Sequence, residues 1–344
     1  MNYSEVLEQA RTCSGPYCKA CPVCNGRACK NTMPGPGAKG VGDCAIRNYE
    51  KWLDIRVNMD TLTENHPVDT SIRLFGKEFK YPIFAGPVGA VKLHYGEKYT
   101  DVEYNDILVP ACRNAGIAAF TGDGTDYHVL EAATAAIGRN DGFGIPTVKP
   151  WNKETVDQKL ALIRASRAFA VAMDIDAAGL PFLKNLDPPA GRKSVEELKE
   201  IIDSFRANDI PFIVKGVMTV RGARKAVEAG ASGIVVSNHG GRVQDQCPAT
   251  AEVLCEIADA VKAVSPETKI LVDGGLRSGV DIFKALAMGA DAVLVARPYV
   301  TAVYGAQEEG VICLTEKLGA ELADTMSMCG ASSLSEITRD MVRL

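Results

Sequence analysis

Short, almost purely apolar runs recur along the chain, each closing on a glycine, a basic residue or an acid. Eight stand out, at 81–85, 117–120, 143–148, 168–173, 211–214, 233–236, 269–272 and 291–295. Runs of this length without polar alternation predict strands buried on both faces, as in a parallel sheet. Between most of them the period changes. Apolar residues return every three or four positions over 154–167, 194–208, 220–230, 249–264 and 280–289, which predicts helices. Ser194 with Glu197 forms a capping-box signature, and Gly230 and Gly289 are helix stops. Strand, polar or glycine-rich end, then helix is the rhythm of an α/β chain closed into a (β/α)8 barrel of the TIM type. In such barrels chemistry gathers at the carboxyl ends of the strands. A doubly wound open sheet is the competing architecture. The regularity of the units favours closure.

The strand ends carry the candidate chemistry. The run at 233–236 leads into Ser237-Asn238-His239-Gly240-Gly241-Arg242, where glycines allow a sharp turn and close approach to a ligand. His239 can take a proton near neutral pH, and Arg242 can grip a carboxylate with two parallel hydrogen bonds. Together they point to proton abstraction from an anionic substrate. Other strands end in Gly86-Pro87-Val88-Gly89, Thr121-Gly122-Asp123-Gly124, Lys149-Pro150, Asp174-Ile175-Asp176, Lys215-Gly216, Asp273-Gly274-Gly275 with Arg277, and Ala296-Arg297-Pro298. Lys149 offers a cation for a substrate carboxylate or cofactor, although a surface lysine is the commoner case. His94 and His128 can line the barrel mouth, although a loop or capping role is the commoner case for each, and His66 precedes a proline in an extended connection.

The chain has 344 residues, 47% of them hydrophobic and 24% charged, with a net charge of −5. That length supports one large barrel core with extensions. Mild acidity argues against nucleic acid or an anionic membrane as the main partner. No apolar run is long enough to span a bilayer, and the first residues lack the basic and apolar regions of a secretory leader. A cytoplasmic protein is expected.

Six of the eleven cysteines, Cys13, Cys18, Cys21, Cys24, Cys29 and Cys44, crowd the start of the chain. This marks residues 1–47 as a Cys-rich segment preceding a barrel at 48–344. In a reducing compartment such a cluster reads as metal ligation before it reads as a disulfide framework. Cys18, Cys21, Cys24 and Cys29 can close around zinc or an iron–sulfur cluster of the 4Fe–4S type. Pro22, Gly26 and the Pro34-Gly35-Pro36-Gly37 stretch keep that loop from forming a long helix. A reduced loop and a redox-active disulfide pair remain alternatives, and Cys13 and Cys44 are substitute ligands.

From Ile210 onward the chain resembles the FMN-dependent α-hydroxy acid oxidase and dehydrogenase family, which includes glycolate and lactate oxidases. The matching words are Val214-Lys215-Gly216-Val217, Ser237 to Arg242, Pro248-Ala249-Thr250, Asp273-Gly274-Gly275 with Arg277, 281–290, and Arg297-Pro298. A weaker likeness runs back to about Asn48. The resemblance implies FMN in the barrel mouth, with Lys215 beside the flavin and Ser237 nearby. It implies His239 as general base, oriented by Asp273, and Arg242 on the substrate carboxylate. Gly274, Gly275, Arg277, Ala296 and Arg297 would hold the FMN phosphate. Pro87, Val88, Gly89 and Thr121 would line the ring. It further implies a small carboxylate substrate and a homo-oligomer, and leaves the electron acceptor unspecified.

Departures from the family pattern fall on the substrate side. No tyrosine occurs in 35–42, Ile145-Pro146-Thr147 stands where Gln-x-Tyr is common, and the loop from Asp176 to Leu180 lacks the usual arginine. Ala296 replaces a glycine. The flavin site and the His239–Arg242 pair are therefore retained while most of the secondary substrate clamp is not. Two alternatives accompany the oxidoreductase reading: a non-redox FMN enzyme related to type 2 isopentenyl diphosphate isomerase, and a flavin- or redox-sensing binding protein.

Overall fold

A computed structural model describes residues 1–180, 183 and 190–344. Eight parallel strands close into a barrel: β1 (Ile83–Ala85), β2 (Ala118–Thr121), β3 (Ile145–Val148), β4 (Val171–Asp174), β5 (Phe212–Val217), β6 (Gly233–Val236), β7 (Lys269–Val272) and β8 (Ala292–Val295). Closure is made by β8 against β1, with Val293, Leu294 and Val295 in register with Ile83, Phe84 and Ala85. That pairing excludes the open-sheet alternative. The predicted run at 168–173 begins too early, because Phe169 lies below the strand among the aromatic residues of the barrel floor.

The helices follow the predicted periods. These are α6 (Lys153–Ser166), α7 (Val195–Arg206), α8 (Val220–Glu228), α9 (Thr250–Lys262) and α10 (Gly279–Ala287). The Ser194–Glu197 capping box is formed. Gly230 and Gly289, with φ of +94° and +106°, occupy the left-handed conformation that ends α8 and α10. Helices that the periodicity did not single out complete the ring: α3 (Val91–Tyr95), α4 (Asp101–Asn114), α5 (Tyr127–Arg139) and α11 (Arg297–Met328), the last broken at Ala306 and Gln307. Two more precede the barrel, α1 (Tyr3–Arg11) and α2 (Cys44–Asp54). The boundary expected after residue 47 falls inside α2, so the Cys-rich segment joins the barrel without a linker. No helix of the described residues is long and apolar enough to cross a membrane.

One end of the barrel is plugged and the other is open. An antiparallel hairpin, Ile72–Leu74 with Lys77–Phe79, covers the amino ends of the strands. Phe79 packs edge-on to Phe84 at 4.9 Å and tilted against Phe143 and Phe169 at 5.8 and 5.9 Å. Phe84 continues upward to Phe120 at 5.8 Å. Burying each such ring contributes roughly 1.5–3 kcal/mol, so the floor is closed by a continuous aromatic stack. The carboxyl ends are left open to ligands.

Just outside β2, Asp123 is fully enclosed. Its carboxylate accepts from Lys159 of α6 at 2.8 Å, from the Trp151 indole at 2.7 Å and from the backbone of Lys149 at 3.0 Å. This ties α6 and the β3 end to β2. Removing one member of a buried pair strands the other charge, at a cost of about 3–5 kcal/mol. Lys159→Ala is therefore expected to lower the stability measured by urea unfolding by that amount at unchanged m-value. A loss below about 1 kcal/mol, the range of an exposed ion pair, would show that Asp123 needs no countercharge.

Candidate active site

At the open end the strand termini surround a cavity of about 630 Å³. Its lower wall is a set of charges withdrawn from water. Lys215 on β5 donates to Ser237 Oγ at 3.0 Å and lies 3.3 Å from Asp273 Oδ2. Lys149, beyond β3, pairs with Asp174 Oδ2 at 2.6 Å. His239 Nδ1 bonds Asp176 Oδ1 at 2.9 Å, and its Nε2 lies 4.0 Å from Asp174 Oδ2. Burial would lower the Lys215 ammonium, but Asp273, Asp176 and Asp174 hold it above its ordinary range. Burial would raise the Asp176 carboxyl, yet His239, Lys215 and Lys149 pull it below the usual carboxylate range. Each group is kept charged by its neighbours.

Local backbone makes this convergence possible. The β5–β6 register shifts between Lys215 and Val217, a bulge at Gly216 with φ of +102°. A Cβ on Gly216 would lie 2.5 Å from the Asp176 carboxyl carbon, so only glycine leaves room for that acid. His239 itself adopts φ of +57°, with its amide held by Ser237 Oγ at 3.1 Å. Gly240, at φ of +62°, presents its carbonyl to Arg297 Nη2 at 3.3 Å.

The loop is braced from outside by α2. Asn48 and Asn238 exchange side-chain hydrogen bonds of 2.8 and 2.9 Å, Asn48 also accepts from Thr250 N, and the Trp52 indole donates to Gly274 O at 2.8 Å. From the same segment, residues 35–41 cross the cavity mouth. Arg242 Nη1 donates to the carbonyls of Gly35 and Gly37, and Lys39 N donates to Gly241 O at 2.8 Å. Burial pushes the Arg242 guanidinium down to about 10, still charged at neutral pH. Gly35 N donates to His94 Nδ1 at 3.0 Å. Burial first, then Arg242 and Lys149, push His94 down to about 4. The ring is thus neutral, and with Nδ1 accepting, its proton sits on Nε2.

Three features of the cavity fit FMN. Arg277 and Arg297 both face it, beside the amino terminus of α11 and the turn Gly274-Gly275, which together form an anion cradle suited to a phosphate. Next, several buried polar atoms at the strand ends have no protein partner: Thr121 Oγ1, Thr147 Oγ1, Asp174 Oδ1 and Asp273 Oδ1. Unpaired buried polar atoms are costly, and a polar ring in the mouth would satisfy such groups. Finally, the volume lies in the range of sites that enclose a cofactor-sized ligand.

Most of the residues singled out in the sequence meet here. Pro87, Val88, Gly89, Lys149, Lys215, His239, Arg242, Asp273, Gly274, Gly275, Arg277, Ala296 and Arg297 all border the cavity, with Ser237 and Thr121 buried at its edge. Two assignments change. Asp273 does not orient His239; it pairs with Lys215, and the hydrogen-bonded acid is Asp176. Lys149 is engaged by Asp174 rather than free to serve as a substrate clamp. His94 takes the less favoured of its two readings and lines the cavity. Asp176 was legible only as the second acid of Asp174-Ile175-Asp176, and nothing in the sequence signalled that α2 would brace the loop. Among the described residues, Asp174, Asp176 and His239 are also the one trio with ligand atoms within 4.8 Å of one another. Lys149 and Lys215 already supply the positive charge there. Cys18, Cys21, Cys24 and Cys29 lie apart from this cavity, around a smaller one.

Comparison with known proteins agrees with this arrangement. Residues 36–185 and 184–344 match the sequence profile of a family described as FMN-dependent dehydrogenase. Peroxisomal (S)-2-hydroxyacid oxidase GLO3 of Arabidopsis thaliana is 44% identical over 327 residues, covering 86% of this chain and 87% of that protein. Peroxisomal (S)-2-hydroxy-acid oxidase GLO4 of Oryza sativa subsp. japonica is 45% identical over 157 residues, spanning 46% of this chain and only 40% of that protein's length. A crystal structure of mandelate oxidase superposes with a TM-score of 0.78 at 27% identity, covering 99% of this chain and 97% of that one.

A charge-assisted contact to a phosphate is worth about 1.5–3 kcal/mol. Arg297→Ala is therefore expected to weaken FMN retention by about tenfold or more, read as flavin released on dilution and ultrafiltration. Full occupancy in both Arg297→Ala and Arg277→Ala would place the phosphate elsewhere.

Proposed function

The chain belongs to the FMN-dependent dehydrogenase family, and on that premise we propose that it oxidises a 2-hydroxy carboxylate, with FMN bound at the mouth of the barrel. The observation that carries this reading is His239, hydrogen-bonded to Asp176 behind it, facing one cavity together with Arg242 of the same loop and Lys215. Bound FMN supplies the two-electron acceptor.

The protein's own groups divide the remaining work. A carboxylate can only accept, so the Asp176 contact fixes the proton of neutral His239 on Nδ1 and leaves Nε2 as the basic atom. A proton taken at Nε2 faces Asp174 Oδ2 at 4.0 Å. The two acids beside the ring are Asp176 at Nδ1 and Asp174 near Nε2, so a proton on the imidazole faces negative charge on both sides. Arg242 uses Nη1 on backbone carbonyls, which leaves Nε and Nη2 for a substrate carboxylate. Lys215 would stabilise an electron-rich ring bound in this cavity, and Arg277 and Arg297 would hold the phosphate end.

The substrate side differs from a tyrosine-and-arginine clamp. His94, neutral and bearing its proton on Nε2, offers one donor, while Met33, Leu93, Leu180 and Leu183 add apolar wall. This supports a 2-hydroxy acid with an apolar side chain over the smallest members of the class. Electrons leave either to oxygen or through a centre held by Cys18, Cys21, Cys24 and Cys29. The isomerase and sensor readings lose ground, because base, carboxylate-binding arginine and flavin-side lysine are assembled together.

Anaerobic addition of apolar 2-hydroxy acids is expected to bleach the flavin absorbance, and no bleaching by any 2-hydroxy acid would refute the reading. His239→Gln should keep its FMN and lose about 10²–10⁴ in the bleaching rate, the usual contribution of a general base. Wild-type bleaching in that variant would remove His239 from proton transfer. Asp176→Asn can donate to Nδ1 and so favours the wrong tautomer. It should slow bleaching with FMN content unchanged, whereas Asp176→Glu restores part of the rate. If Asp176→Asn matches wild type across pH 5–9, Asp176 does not position the base.

A further inference from the structure

A second cavity, of about 160 Å³, lies behind the phosphate end of the first. Of the six cysteines near the amino terminus, four border it: Cys18, Cys21, Cys24 and Cys29. The two others are turned elsewhere. Cys13 Sγ bonds Tyr304 O at 3.2 Å, and buried Cys44 Sγ faces Cys247 O at 3.9 Å. None of the cysteines is in a disulfide. The structure thus selects from six thiols the four in the Cys-x2-Cys-x2-Cys-x4-Cys spacing and arranges them around empty volume.

The four sulfurs are not drawn into the spacing of a closed tetrahedral zinc site. Tetrahedral zinc with Zn–S of about 2.3 Å draws its four sulfurs to about 3.8 Å from one another. Among the described residues no three cysteine sulfurs lie within 4.8 Å of one another. An iron–sulfur cubane carries one thiolate on each of four irons, so its ligands are held further apart around a core of finite size. The apolar wall supplied by Leu7, Leu314 and Leu318 suits a centre shielded from water. Cations are also in place. Arg277 Nε donates to Cys24 O at 2.7 Å with Nη2 at 3.8 Å from Cys24 Sγ, and Arg297 borders both cavities.

We propose that Cys18, Cys21, Cys24 and Cys29 bind a 4Fe–4S cluster in this second cavity, separated from the FMN phosphate subsite by Arg277 and Arg297. Four thiolates on such a core leave a net negative charge, and so does a phosphate. The two arginines lie between two anionic groups and serve both. The cluster assignment stands on the thiol geometry; only the term "FMN phosphate subsite" rests on the function proposed above.

The test is elemental analysis of the full chain purified without oxygen. About four irons and four acid-labile sulfides per chain are expected, as this cluster type requires, together with a paramagnetic signal after dithionite reduction. Cys21→Ala and Cys24→Ala should lose the iron and sulfide, while Cys13→Ala and Cys44→Ala keep both. Should a ligand variant fail to fold, reconstitution of wild-type apoprotein with ferrous iron and sulfide decides the same question through its stoichiometry. Stoichiometric zinc without sulfide, or no metal after reconstitution, overturns the proposal. FMN content and flavin bleaching are measured on the same samples. A metal-free protein that still bleaches rejects the cluster alone, and an iron-loaded protein that never bleaches rejects the hydroxy acid reading alone.

Discussion

The constraint on which this site depends is electrostatic: several charged side chains are withdrawn from water at the end of one barrel, and each must be compensated within reach. A lone ion in such a place would give up its charge or destabilise the fold. Asp174 meets Lys149, Asp273 meets Lys215, and Asp176 meets the His239 imidazole. The chemistry follows from which charges are brought together as much as from the identity of the base.

Holding that set together takes more than the strands. A bulge at Gly216 clears space for Asp176, and Asn48 and Trp52 of α2 fasten the ends of β6 and β7 from the outer side. The stretch before α2 then crosses the mouth to reach Arg242 and His94. The amino-terminal segment is therefore a working part of the site. Along it, the thiol-lined cavity and the charged pocket stand in sequence, with Arg277 and Arg297 bordering both.

The barrel was legible because its strands are buried on both faces and its helices on one. The two periods therefore differ, and stops such as Gly230 and Gly289 punctuate them. Its chemistry was legible where several reactive residues share one strand end, as in Ser237 to Arg242. Helices such as α4, with Pro110 inside it, and α2, whose inward face carries the polar Asn48, blur the apolar pattern and escaped it. Asp273 was assigned to His239 from its place in a recognised word, but β7 sets it against Lys215.

What the sequence determined by itself is the set of groups: eight strand ends, a histidine and an arginine on one of them, lysines and further arginines on others, and a spaced run of thiols. These are local properties, written in period, turn residues and composition. The pairing was decided only by the tertiary structure. Which acid holds His239, where Lys149 spends its charge, and that His94 reaches the site all depend on distances between segments far apart in the chain. Such distances are set by barrel closure and register, and no local pattern encodes them.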